Sequence, residues 1–90
     1  MMQVQFQRNV GEVFAQADAT EVRIGCGWTV PVPRSQAVKY VKTYNSEPNL
    51  GFYENGNEVV LTHNLGKIVF SKPEAAALIQ LIKSAFPEAI

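Results

Sequence analysis

Six residues on one parity constrain this chain more than any other feature. Val22, Ile24, Cys26, Trp28, Val30 and Val32 alternate with Glu21, Arg23, Gly25, Gly27, Thr29, Pro31 and Pro33. A period of two puts the whole first set on one side of an extended chain, building a continuous apolar face that a sheet must bury. The glycines beside Cys26 point to a bulge or bend there. Pro31 and Pro33 have no N–H for a ladder, so the strand ends at a sheet edge.

The same period runs through the N-terminus, where Val4 and Phe6 alternate with Gln3, Gln5 and Gln7. Gly11 punctuates, Val13 to Ala17 reads as a second strand, and Asp18-Ala19-Thr20 as a turn. The period then changes. Ala37, Tyr40, Val41 and Tyr44 fall at i, i+3, i+4 and i+7, which predicts a helix over 35–44 with Ser35 as its N-cap. Asn55-Gly56 is the most specific local signal, because both residues tolerate the positive φ of a two-residue hairpin turn. With Glu54 opposite Asn57, Phe52 faces Val59 and Leu50 faces Leu61. A second reversal around Asn64-Leu65-Gly66 leads into Lys67 to Ser71. Its register decides whether Ile68 and Phe70 join the Phe52 and Leu61 face or oppose it.

Ser71-Lys72-Pro73-Glu74 fits a capping box that opens a helix over 72–86, with Pro87 as its stop. Ala75, Ala76, Leu78, Ile79, Leu81, Ile82, Ala85 and Phe86 cover more of its circumference than one sheet can bury. The second cover is either the 35–44 helix or another subunit. The sequence reading is a two-fold dimer in which Leu78, Leu81, Ile82 and Phe86 supply interface contacts.

A chain of 90 residues has room for a single domain with a thin core, and such domains need a staple. Cys26 is the only cysteine, so no disulfide forms within the chain, and self-association is the remaining staple. Eight basic and eight acidic residues cancel, which removes the general electrostatic case for nucleic acid or an anionic membrane. No apolar run approaches the length that spans a bilayer. The unpaired thiol reads as cytoplasmic.

Chemistry-bearing residues are sparse. Cys26 and His63 are the only soft nucleophile and the only imidazole; a thiol enzyme needs them in contact, but Cys26 sits on the apolar parity and reads as packed. Zinc needs four Cys or His ligands and the chain has two such residues in all, so no metal or other cofactor is expected. Glu54 and Glu58 flank a turn and read as solvated, and Gly25-Cys26-Gly27 lacks the remainder of a phosphate-binding motif. Arg34, Lys39 and Lys42, close in sequence to Tyr40, Tyr44, Phe52 and Tyr53, form the one basic cluster suited to single-stranded nucleic acid.

Lys67-Ile68-Val69-Phe70-Ser71-Lys72-Pro73-Glu74, running into Leu78, Leu81 and Ile82, resembles the end of the positive-cofactor-four family of transcriptional coactivators. The likeness is a supersecondary one over about the last 40 residues. It implies an antiparallel meander, a capped helix that dimerises, and a sheet that grips single-stranded DNA. The chain departs from that pattern in lacking a basic strand-rich face and in carrying a helix at 35–44.

Together these readings give an α+β single domain over 1–90. It has N-terminal antiparallel strands over 3–32, a short helix at 35–44, a three-stranded meander over 50–71 and a C-terminal amphipathic helix on the sheet. The expected function is a non-enzymatic interaction or assembly module that forms a homodimer, with single-stranded nucleic-acid binding as the alternative. A packed Cys26 should react slowly with a thiol reagent in the native protein and fast once unfolded; rapid native labelling at neutral pH would instead mean an exposed thiolate.

Overall fold

In the computed structural model, which describes residues 2–8, 11–25, 28–46 and 49–90, the chain is α+β with two antiparallel sheets. Strands β1 (Met2–Arg8), β2 (Gly11–Ala17), β3 (Glu21–Gly25) and β4 (Thr29–Pro33) follow one another in a four-stranded sheet. Helix α1 (Arg34–Lys42) leads to a three-stranded meander of β5 (Gly51–Asn55), β6 (Glu58–His63) and β7 (Gly66–Ser71). Helix α2 (Lys72–Ala85) and a 3-10 turn (Pro87–Ala89) close the chain.

The alternating run at 22–32 is a hairpin and not one long strand. Val22 pairs with Val32 and Ile24 with Val30, the chain reversing between Gly25 and Thr29. Each pair joins two even-numbered residues, so reversal leaves the apolar set on one face, where all four are buried. Trp28 departs from that face: it lies in the connection and is 42% exposed. Cys26 and Gly27 fall outside the described residues. The expected edge is present. Pro31 and Pro33 sit exposed on β4, the border strand, where their missing N–H groups blunt further pairing.

Asp18 makes the β2–β3 turn by accepting from the backbone N–H groups of Thr20 (2.7 Å) and Glu21 (3.0 Å). Helix α1 starts one residue before the expected position. Pro33, not Ser35, is its N-cap, and no side chain caps it. The first helical N–H, from Arg34, instead donates to the Thr20 carbonyl at 2.9 Å. Past α1, Asn45 takes a positive φ of 59°. Its N–H donates to the Phe52 carbonyl (2.8 Å) and its Oδ1 accepts from Glu54 N–H (3.0 Å), which occupies the outer edge of β5.

The first meander hairpin also corrects the expected register. Asn55 pairs with Glu58, so Gly56 and Asn57 form the turn and Phe52 faces Leu61. Gly56 has φ +63°, as in the primed turn that places glycine first. The shift moves each partner by two residues and therefore changes no side chain's face. At the second hairpin His63 pairs with Gly66, which puts Ile68 opposite Leu61 and Phe70 opposite Val59. Ile68 and Phe70 thus join the buried face.

Helix α2 opens with the expected capping box: Ser71 N–H donates to Glu74 Oε1 (2.8 Å) and Glu74 N–H to Ser71 Oγ (3.3 Å). Its broad apolar arc is covered within the chain. It meets β6 and β7 on the meander and also β1 and β2 of the larger sheet, while α1 lies beside it. Leu78, Leu81, Ile82 and Phe86, expected at a dimer interface, are all buried in the single chain and belong to one cluster with the inner residues of both sheets. The sequence reading allowed the meander as the only sheet within reach of α2; the N-terminal sheet is the second cover.

Gly25, opposite Phe14, has the Phe14 ring laid over it: a Cβ there would sit 2.1 Å from Phe14 Cε1. Gly25→Ala should therefore cost about 1–3 kcal/mol by overpacking. In the Phe14→Leu background the cost should shrink, a coupling that chemical denaturation of the double-mutant cycle reads directly.

Candidate interaction face

The residues that the sequence offers as sites end up apart. Arg34 is engaged: Nε and Nη2 donate to the Glu88 carboxylate at 2.6 and 2.8 Å, and Nη1 donates to the Ala19 carbonyl at 3.0 Å. The guanidinium also lies 4.8 Å from the Phe86 ring centroid. This clasp ties the β2–β3 turn, the start of α1 and the C-terminal turn together. The bidentate bond from Arg34 holds the Glu88 carboxyl down to about 2. Lys39 and Lys42 are exposed on α1. Of the aromatics that would stack bases, Tyr40 and Phe52 are buried, Tyr44 is half-buried, and Tyr53 is exposed on the meander.

His63 is buried at the end of β6, where its Nδ1 accepts from Leu65 N–H at 3.2 Å. In the neutral ring the proton is therefore on Nε2. Burial lowers its pKa. The Tyr40 ring meets it edge-on at 6.5 Å, and the buried Tyr40 hydroxyl has no hydrogen-bond partner among the described residues. The Cys26 half of a possible Cys–His pair lies outside the described residues. Among the described residues no three His, Cys, Asp or Glu side chains gather where they could hold a metal ion. Among the same residues no helix is long and apolar enough to cross a membrane. An open groove of about 460 Å³ lies along β6, β7 and the start of α2, lined by residues including Glu58, Phe70 and Glu74.

The two sheets differ on their outward sides. The larger sheet presents Gln3, Gln5, Arg23, Thr29, Pro31 and Pro33, with Phe14 and Gln16 half-buried among them. The meander presents three rows of three. Its middle row is Tyr53, Val60 and Val69, direct cross-strand partners on one face. Tyr53 is 36% and Val69 41% exposed, with Val60 half-buried between them. One flanking row is Asn55, Glu58 and Ser71; the other is Gly51, Thr62 and Lys67, of which Gly51 is buried against Tyr40. Two further exposed apolar residues lie at the Lys67 end: Leu65 in the β6–β7 turn, and Trp28, whose ring edge lies against Gly66.

The sequence carried a signal for this face that the reading of it did not use. Val59-Val60-Leu61 and Ile68-Val69-Phe70 are apolar on successive positions, and Phe52-Tyr53 continues the pattern. Strands apolar on both parities are normally covered on both sides. Here the inner side is covered by the helices.

No known protein family, curated protein or solved structure matches the chain. The face must be interpreted from its own chemistry.

The Glu88 and Asp18 carboxyls and the His63 imidazole, all with pKa lowered in the folded chain, set an acid dependence of stability. His63 has its folded pKa below the usual 6.5, so its contribution is present above that value and is lost as pH falls through the folded one. Glu88 follows the same sign from its usual 4.5 toward 2. Glu88→Gln should flatten the loss of stability between those two values and leave the His63 window unchanged, as read from urea midpoints across pH.

Proposed function

We propose that the protein is a non-enzymatic assembly module that associates with a second copy of itself through the outer face of the meander. The observation that carries this reading is the Tyr53–Val60–Val69 row, an apolar stripe aligned across three strands on a solvent-facing side. Tyrosine, which stands at the β5 end of this row, is a favoured interface residue, offering large area at small conformational cost. The outer side of the larger sheet differs: among the side chains described there Gln3, Gln5, Arg23 and Thr29 are exposed and Phe14 is half-buried against Gly25.

The expected homodimer thus keeps its place in the functional reading while its interface moves. The residues on α2 that the sequence offered for it are spent on the core, whereas the meander face is accessible. The nucleic-acid alternative draws less support, because Arg34 already has a carboxylate partner and the adjacent aromatics are largely buried.

Eight exposed or half-buried residues make a small contact beside the standard interface of about 800 Å² per partner, so the association should be weak. Sedimentation of the wild type should show reversible dimerisation at high micromolar concentration, and Val60→Lys should weaken it by at least about tenfold by placing a charge in the centre of the contact. Folding should survive, since a lysine stem can lie along the face with its ammonium in water. A wild type that stays monomeric throughout, or a folded Val60→Lys variant that dimerises equally well, would overturn this reading.

A further inference from the structure

Glu58 and Lys67 stand in opposite flanking rows of the meander face. Both are exposed. Among the described residues neither has an ion-pair partner inside the chain, unlike Arg23 with Glu21, Arg34 with Glu88 and Lys72 with Glu54. One unmatched acid and one unmatched base therefore flank the apolar stripe on opposite sides.

That arrangement selects how a second copy sits. Sheets stacked face to face keep their strands within about 30° of alignment, which leaves a two-fold axis in the interface two directions: along the strands or across them. An axis along the strands lays Glu58 over the partner's Glu58, like charges on sheets about 10 Å apart. An axis across the strands keeps the apolar stripe on itself and exchanges the flanking rows. Glu58 then lies over the partner's Thr62 and one strand, about 4.8 Å, to the side of the partner's Lys67. The lysine stem spans that offset.

Resting on the assembly reading above, we infer that the dimer axis runs across the strands along the Tyr53–Val60–Val69 row. The two symmetry-related Glu58–Lys67 contacts then set orientation and partner choice. They are rim contacts, and rim charges contribute specificity more than affinity. Such self-complementarity is what an isologous interface requires, since each patch must match its own copy.

Charge reversal tests the orientation. Glu58→Lys and Lys67→Glu should each weaken self-association by about threefold to tenfold, because each homodimer then meets two like-charge contacts. An equimolar mixture of the two variants should form the heterodimer in preference to either homodimer, since both contacts then become oppositely charged. Lys39→Glu mixed with Glu58→Lys controls for overall charge and should show no such preference. Thermal melts should verify that each variant folds. If Glu58→Lys instead pairs with the wild type at least as well as with Lys67→Glu, or if both single variants dimerise as the wild type does while Val60→Lys does not, the orientation is wrong and the meander interface stands. A monomeric wild type removes both.

Discussion

Everything in this fold turns on the burial of α2 from two sides. A helix with Leu78, Leu81, Ile82 and Phe86 in its interior-facing positions exceeds what one three-stranded sheet covers, and fully burying each such side chain stabilises by about 1.5–3 kcal/mol. The chain meets that demand by folding its N-terminal half into a second sheet whose β1 and β2 reach α2. The small inward residues Ala15 and Ala17 on β2, beside Val13, are buried and belong to the same cluster. The helix is thus the shared floor of two sheets, and neither sheet has another partner of comparable size.

Much of the architecture is legible in the residues. Parity located the N-terminal strands, the capping box located α2, and the α+β class followed from both. Parity also hid the β3–β4 reversal, because a turn that pairs even with even residues leaves an alternating pattern unbroken. The two glycines around Cys26 were the stronger signal there. At the first meander hairpin, Asn55-Gly56 named the right neighbourhood, but glycine takes the first turn position, which lets Phe52 meet Leu61.

The candidate sites were less legible, for a physical reason. A cation's availability depends on what folds beside it, and Glu88 comes 54 positions after Arg34. No local pattern announces that bond. The α2 residues failed as interface candidates on similar grounds: their two-sided apolarity was real, but the sequence could not say that the second cover was in the same molecule. The same two-sided pattern in β6 and β7 is the one whose outward half stays exposed in the folded chain.

The position of α2 at the end of the chain has a consequence for synthesis. Both sheets are built from hairpins between neighbouring strands, contacts of short range that can form as soon as their residues leave the ribosome. Their inner faces, however, close in large part against a helix that begins at Lys72 and is followed by the turn that Arg34 clasps through Glu88. A nascent chain of this protein therefore carries the strands of both sheets before the helix that covers them is made. In that interval it depends on its blunted edges at β4 and β5 to stay out of contact with its neighbours.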